Sequence, residues 1–305
     1  MDTLDDFSTL QQDASLSEPL RRVAYEAGMM LGLEATRDEQ AYHRRRLSRQ
    51  QYWLHGYGTL AGMAVSSQIG PPPTGSLTPV IRLLVSPGMG IDGLGREVLI
   101  NEHYCVSLGD WLLAQSVSDL SEGYDDDQNQ LWLKVCVRQK DCPVAQQPVL
   151  ARKLNLSTDA VQPSRTSDSV RLELIPELPP AQAAEAFAPW AVHPPVADAL
   201  PTLLAAEQAL LQDVQTNSPQ DAPQLELHAR LLHALDNSGV DPGLMAEELE
   251  AGARLLLARI RLSIADLTAI DLAALAADAT AISINNLVRP FLVTASQLAW
   301  LARQP

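Results

Sequence analysis

The stretch VIRLLVSPGMGIDGLGREVLI at residues 80–100 constrains the fold more than any other part of the chain. Two runs rich in valine, isoleucine and leucine flank a segment with glycines at positions 88, 90, 93 and 95. Such runs favour β-strands, and glycine supplies the positive φ that a tight turn needs. The sequence therefore predicts strand, turn and strand, and the predicted turn residues are Gly88, Asp92, Gly95, Arg96 and Glu97.

Three further segments carry strand signals. LWLKVCVRQ places Leu131, Leu133, Val135 and Val137 on one face of a strand, and SVRLELIPE alternates in the same way. ATAISINNLVRPFL is rich in β-branched residues and precedes a turn. For RLLLARIRLSIADL, a helix and a buried strand are both consistent with the apolar pattern.

The segment before the first strand predicts one long helix. TRDE at residues 36–39 fits a capping box with Thr36 as the N-cap, and the helix is expected to run to about Leu54. Gly56 and Gly58 are expected to stop it and to form a structural turn. Residues 1–35 are predicted to be an N-terminal arm without regular periodicity.

Composition shifts to alanine, leucine and proline in residues 179–245. PTLLAAEQALLQDVQ and PQLELHARLLHALDN each show helical apolar spacing and begin at a proline, which suits the first position of a helix. The prediction is an α+β fold with an inserted helical hairpin. Its parts are an arm at 1–35, a helix plus β-rich core at 36–178, the insertion at 179–245, and a segment at 246–305 that completes the core; the core strands are expected at about 57–175 and 254–293.

The charge balance narrows the classes of partner. The formal net charge is −15 and the pI is about 4.7, so the phosphate backbone of a nucleic acid would be repelled. No window approaches the roughly 18 apolar residues of a membrane span. The start of the chain lacks the basic and apolar regions of a secretory signal, so assembly in the cytoplasm is expected, with release on an extracellular particle left open.

The sequence predicts no metal, cofactor or catalytic residue. Cys105, Cys136 and Cys142 cannot all pair with one another and lack CxxC spacing, so reduced thiols are expected. His228 and His233 lie five residues apart and do not share a helix face well. GxSxG and HExxH motifs are absent from the sequence.

The predicted helix carries an unusual mixture of arginines and aromatic residues. That composition is typical of contact hot spots between proteins, and in so acidic a chain it would attract acidic surfaces. A solvated helix face and a grip for a substrate remain alternatives. The predicted interface residues are Arg44, Arg45, Arg46, Arg49, Tyr52, Trp53 and His55.

Two other functions are carried as alternatives. Asp92 and Glu97 flank the predicted hairpin turn and would act as the carboxylate pair of a glycan hydrolase if they shared one cleft. A carbohydrate- or surface-binding module would instead need Trp53, Trp111 and Trp132 exposed together.

Several motifs, in this order, resemble a family of uncharacterised proteins encoded with phage-tail-like contractile injection systems. The matching residues are Glu39, Gln40, Tyr42, Leu54, His55, Gly56, Gly58, Gly62, Val65, Pro87, Gly88, Asp92, Gly95, Arg96, Glu97, Cys142, Pro143, Pro163, Ser164, Arg165, Val288, Arg289 and Pro290.

The chain departs from the family pattern in three places. Gln50 and Gln51 replace an asparagine and an arginine, Met63 replaces a leucine, and residues 180–240 have no counterpart. The resemblance implies a non-enzymatic structural subunit of the baseplate or tail end of such a particle. Its partners would be other subunits, and it would be oligomeric in the assembly.

Overall fold

The structure is a computed structural model that describes residues 8–16, 19–75, 78–148, 161–180, 202–231 and 246–303. The helices are α1 (Ser8–Ala14), α2 (Leu33–His55), α3 (Leu108–Ala114), α4 (Val117–Ser121), α5 (Ala205–Asn217), α6 (Ala222–Leu231), α7 (Ala246–Ala253), α8 (Leu272–Ala277) and α9 (Ala295–Leu301). The strands are β1 (Gly58–Gly62), β2 (Val65–Gly70), β3 (Val80–Val85), β4 (Gly88–Ile91), β5 (Glu97–Ile100), β6 (Tyr104–Ser107), β7 (Tyr124–Asp125), β8 (Gln130–Pro148), β9 (Val161–Pro176), β10 (Leu255–Ser263) and β11 (Ile282–Asn285).

The described strands form three antiparallel sheets, so the predicted α+β fold with a β-rich core is confirmed. One sheet has the order β1-β4-β5 and another the order β2-β3-β6. The third has the order β11-β10-β8-β7, and β9 pairs with β8 along most of its length.

The main core lies against one face of the third sheet. Leu131, Leu133, Val135 and Val137 of β8 are each at most 1% exposed, which confirms the predicted alternation. The segment that was consistent with a helix or a strand is a strand, because β10 pairs with β8 on one side and with β11 on the other. Its residues Leu257, Ile260 and Leu262 are fully buried.

The glycine-rich stretch contains an additional strand that the sequence prediction missed. β4 begins at Gly88 and pairs with both β1 and β5, whereas β3 belongs to a different sheet. Gly88 and Gly90 are therefore strand residues, and they permit close packing rather than a turn. A Cβ at Gly88 would clash with the main chain of Met63, and one at Gly90 would lie 2.6 Å from Leu255.

The turn itself lies between β4 and β5 and contains the predicted turn residues Asp92, Gly95 and Arg96, whereas Glu97 is the first residue of β5 and not a turn residue. The amide of Asp92 donates to the carbonyl of Arg96 at 2.9 Å, and the amide of Gly95 donates to the carbonyl of Asp92 at 3.0 Å. Gly95 has φ of 80°, which side chains rarely adopt.

The long helix begins earlier than its sequence predicts, and the predicted capping box is wrong. α2 starts at Leu33, and the Thr36 hydroxyl donates to the carbonyl of Gly32 at 3.2 Å instead of accepting from the helix. Glu39 accepts from the amide of Val23 at 2.8 Å. The predicted end is confirmed, since the amide of Gly56 closes the helix onto the carbonyl of Tyr52 at 2.9 Å.

The N-terminal segment contains a short helix that the sequence prediction did not include. Leu10 and Ala14 of α1 are buried in a small cluster with Leu94, Leu249 and Ala253. These contacts are with the same chain, so residues 8–14 are not a free arm. Burial of Leu10 and Ala14, four positions apart on one helix face, is the physical reason.

The inserted region is described in part. α5 and α6 lie within the predicted helical hairpin, and the Gln215 amide group donates to Glu226 at 3.0 Å between them. Pro223 is the second residue of α6 rather than its first, and α5 begins four residues after Pro201. The remainder of residues 179–245 lies largely outside the described residues.

The last part of the chain is fastened to the corner between β1 and β2. Asn286 accepts from the amide of Val65 at 2.8 Å and donates to its carbonyl at 2.9 Å. The guanidinium of Arg289 donates to the carbonyls of Asn286 and Gly62 at 2.9 and 3.1 Å. These bonds give a structural role to two motifs that are far apart in sequence.

Candidate protein–protein interface

The inward side of α2 combines buried polar and apolar side chains and is not a simple apolar stripe. The buried residues of the helix are Ala41, Tyr42, Arg45, Ser48 and Tyr52. Arg45 is only 2% exposed, and its guanidinium donates to the carbonyls of Asp13 and Leu16, each at 3.1 Å. The predicted interface residues Arg45 and Tyr52 are therefore occupied by packing inside the chain.

Arg44 joins the same helix to α1. Its Nε and Nη2 atoms donate to the two carboxylate oxygens of Asp13 at 2.8 and 2.6 Å. Burial raises the pKa of Asp13, and the hydrogen bond and charge of Arg44 oppose that shift. Arg44 thus fixes the N-terminal helix, and 38% of its side chain stays exposed.

Other predicted interface residues lie further out on α2. The exposed guanidinium of Arg46 donates to the hydroxyl of Tyr42 at 3.1 Å and lies 5.7 Å from its ring centroid. Trp53 is half-buried and meets Tyr52 edge-on, with the ring centroids 6.4 Å apart. Arg49 is half-buried, and His55 is exposed at the end of the helix.

The outward side of α2 carries large apolar side chains that the sequence analysis did not single out. Leu33, Leu47 and Leu54 are 66%, 57% and 66% exposed. They are separated by 14 and 7 residues, so they lie on one side of a helix. Their spacing by multiples of seven is a signal in the sequence, but the arginines beside them give the helix a polar pattern that masks it. We call these three residues the leucine stripe.

The segment directly before the helix adds to this surface. Between residues 25 and 33, the exposed large apolar residues are Tyr25 (65%), Met29 (51%), Met30 (93%), Leu31 (50%) and Leu33 (66%). Single exposed apolar residues are ordinary on protein surfaces, whereas large contiguous exposed patches mark interaction sites. The leucine stripe and residues 25–33 together form the candidate interface.

The glycine elbow fixes the direction in which the chain leaves α2. Gly58 has φ of 142°, and a Cβ there would lie 2.9 Å from the carbonyl oxygen of Pro290. The amide of Thr59 donates to that carbonyl at 2.9 Å, and the amide of Leu292 donates to the carbonyl of Thr59 at 3.0 Å. Gly56 and Gly58 therefore have the structural role that the sequence predicted.

The hairpin turn lies under α2 and uses Asp92 as a structural group. Asp92 is fully buried, and its carboxylate accepts from the amides of Leu94 and Arg96 at 3.0 and 2.8 Å. The Nε and Nη2 atoms of Arg96 donate to the same carboxylate, each at 2.8 Å. Burial raises the pKa of Asp92, and Arg96 opposes the shift.

Glu97 has a different environment from Asp92. It is exposed at the first position of β5, whereas the carboxylate of Asp92 is enclosed by its four donors. A hydrolase needs two carboxyl groups facing one substrate. The observed arrangement is that of a turn-stabilising aspartate, and it does not favour the hydrolase alternative.

The three tryptophans of the surface-binding alternative lie on three separate elements. Trp53, Trp111 and Trp132 belong to α2, α3 and β8, and each is half-buried. Trp111 packs against the main core. The structure therefore does not favour one shared aromatic platform.

A groove of about 890 Å³ separates α1 and α2 from the far end of the β8–β9 hairpin. Six residues of the family resemblance, from four separate segments of the sequence, line it. These residues are Gln40, Arg96, Pro143, Pro163, Ser164 and Arg165. The tertiary fold thus brings together motifs that are dispersed along the chain.

Histidine, cysteine and acidic side chains are the possible metal ligands and nucleophiles among the described residues. Among them there is no group of three histidine, cysteine or acidic side chains placed to hold a metal ion. All three cysteines are free, as predicted. Burial raises the pKa of the Cys136 thiol to about 11, which keeps it protonated and unreactive at neutral pH.

Comparison with known proteins adds no assignment. No family model matches the chain, and no curated protein matches it either. Over the described parts of the chain, no helix combines the length and apolar character needed to cross a membrane.

Proposed function

We propose that the chain is a non-enzymatic structural subunit of a phage-tail-like contractile injection system. It assembles at the baseplate or tail end through contacts with other subunits. The observation that carries this proposal is the exposed apolar surface formed by the leucine stripe and residues 25–33.

The size of this surface supports a role in assembly. Burying a leucine or methionine side chain that would otherwise be exposed contributes about 1.5–3 kcal/mol. Leu33, Leu47, Leu54 and Met30 are all more than half exposed. A partner that covers these four side chains gains enough free energy to offset a substantial part of the entropic cost of association.

The chemistry of the partner follows from the residues around the stripe. Arg46 and His55 lie on α2 and are exposed, and Arg37 is exposed nearer the start of the helix. A surface that combines apolar side chains with arginines fits a partner surface that combines apolar side chains with carboxylates. That is the composition expected of another protein subunit.

The proposal is tested with the purified full chain and the purified baseplate and tail-end proteins of the same particle. Size-exclusion chromatography with light scattering is expected to show the chain entering a complex with them. The double variant Leu47→Asp, Leu54→Asp is expected to keep its fold and to lose that complex.

Leu113→Asp is the matched control, because Leu113 is 62% exposed and lies on α3, in a different part of the fold. This variant is expected to assemble like the wild-type chain. If the wild-type chain stays monomeric with every one of these partners, the proposed function is wrong.

A further inference from the structure

The outer face of the third sheet has a distinctive chemistry. Leu131, Leu133, Val135 and Val137 face the core, so their neighbours Trp132, Lys134, Cys136 and Arg138 face the other way. Residues opposite each other in an antiparallel pair share a face. Arg259 is opposite Lys134, Arg261 is opposite Trp132, and Arg171 is opposite Arg138, so these arginines lie on the outer face too.

This face is rich in cations, although the chain as a whole is strongly acidic. Between Trp132 and Arg138 the described cations on or reaching this face are Lys134, Arg138, Arg171, Arg254, Arg259 and Arg261. The carboxylates bonded to them are Glu173, Glu177 and Glu250. Cations are thus concentrated on one face of a chain whose net charge is −15.

Two arginines of this face have donors without acceptors. Arg259 is 9% exposed, and only its Nη2 atom is bonded, to Glu177 at 3.0 Å. Its Nε and Nη1 atoms and the Nε atom of Arg261 are buried and have no hydrogen-bond partner in the part of the chain that the structure describes. Buried polar groups in proteins nearly always have partners, and a buried charged donor without one is costly.

We infer that Arg259 and Arg261 bind an oxyanion on the outer face of the third sheet. The two arginines are two positions apart on β10, so their side chains leave the strand in the same direction. One oxyanion between them supplies acceptors to the three buried donors. This site does not depend on the proposed assembly role.

Two charged groups beside Arg259 are partly exposed to solvent. Glu177 is 41% exposed at its side chain and Lys134 is 24% exposed, and they pair with each other next to Arg259. A small anion can therefore reach the buried donors from this side. Phosphate and carboxylate groups both suit these donors, because guanidinium binds both.

The experiment measures the thermal unfolding midpoint of the full chain in inorganic phosphate and in sodium chloride at equal ionic strength. Phosphate at about 100 times its Kd is expected to raise the midpoint by about 5 °C, saturably and beyond any effect of chloride. Arg261→Gln is expected to abolish the rise. Arg82→Gln, at an exposed arginine on β3, is expected to retain it.

Sodium acetate in place of phosphate distinguishes the two sources of the oxyanion. A saturable rise with phosphate alone identifies a phosphate site, and a rise with acetate identifies a carboxylate site. An equal response to phosphate, acetate and chloride overturns the inference. So does a phosphate response that persists in both Arg261→Gln and Arg259→Gln, because the anion would then bind elsewhere.

A second measurement uses the unchanged protein and covers the case in which the variants do not fold. The side-chain Nε–H resonances of Arg259 and Arg261 are followed by NMR during a phosphate titration. Both are expected to shift along one saturable curve, while the resonance of Arg82 stays in place. Unmoved signals for Arg259 and Arg261 would refute the site without any substitution.

Discussion

Asp13 and Arg44 form a two-point ion pair that ties the N-terminal helix to the long helix across 31 residues of sequence. The carboxylate of Asp13 is nearly buried, and the main chain of the same residue accepts from Arg45. The two sides of the arginine-rich helix therefore differ. Arg44 and Arg45 fasten α1, and the outward side of α2 carries the exposed leucine stripe.

Replacing Asp13 by asparagine is expected to lower the free energy of unfolding by about 1–3 kcal/mol, because Arg44 loses its charged acceptor. Urea denaturation followed by circular dichroism measures the change. Asp38→Asn is the control, since Asp38 is an exposed acidic residue on α2, the helix that carries Arg44. Equal stabilities of the two variants would show that the ion pair contributes nothing measurable.

Gly95→Ala is expected to destabilise the chain by about 2–4 kcal/mol, which combines backbone strain and a steric clash. Gly95 has φ of 80°, and a Cβ there would overlap the carbonyl oxygen of Ser48 in α2. Gly75→Ala separates the two effects, because Gly75 has φ of 89° and no atom within 4 Å of the added Cβ. The control is expected to cost only about 1 kcal/mol. If Gly95→Ala and Gly75→Ala lose similar free energies of unfolding in chemical denaturation, the contact between the turn and α2 does not contribute to stability.

Arg289→Met is expected to lower the free energy of unfolding by about 2–4 kcal/mol, because the carbonyls of Gly62 and Asn286 lose their donors. Arg289 is 2% exposed, and burial lowers its pKa to about 10. Thermal and urea denaturation both report this loss. Arg82→Met, at an exposed strand position, is expected to change stability by less than about 0.5 kcal/mol. An unchanged free energy of unfolding in Arg289→Met would mean that the hydrogen bonds of Arg289 to Gly62 and Asn286 are dispensable.

Glu173 predicts a particular dependence of stability on pH. Burial alone would raise the pKa of this carboxyl, but hydrogen bonds from Arg254 and Arg138 outweigh burial and lower its pKa below the ordinary 4.5. A carboxyl with a lowered folded pKa stabilises the fold above its unfolded pKa, and this contribution is lost as the pH falls through the folded value.

Glu173→Gln is therefore expected to be less stable than the wild-type chain at pH 7, and the gap is expected to narrow as the pH falls below about 4.5. Urea denaturation at a series of pH values measures it. Glu122→Gln serves as the control, because Glu122 is exposed and ends α4. A gap that stays constant with pH would show that Glu173 acts through packing and not through its charge.

Several elements of the fold were predictable from local pattern. Leu131 to Val137 alternate because one face of β8 is buried, and Gly56 ends α2 because glycine tolerates its backbone conformation. Thr294, a residue type favoured at the N-cap, caps the last helix, with its hydroxyl accepting from the amide of Gln297 at 3.3 Å. Each of these signals lies within a few residues of the feature that it predicts.

The sequence allowed the position of the candidate interface to be predicted only in part. The concentration of arginine predicts an interface on α2, but Arg45 turns inward because the carbonyls of Asp13 and Leu16, about 30 residues earlier, accept its hydrogen bonds. The exposed positions Leu47 and Leu54 would read as core residues in most helices. Which side of α2 faces the core depends on the position of α1 and of the hairpin turn.

The sequence by itself determined the α+β class, the run of inward residues on β8, and the glycine turn after α2, because strand alternation and glycine conformation are local properties. Only the tertiary structure decided that β10 is a strand, that Arg45 and Asp92 are buried, and that Arg259 and Arg261 share one face. The physical reason is that each of these depends on partners supplied by distant segments, such as β8 and β11 on the two sides of β10.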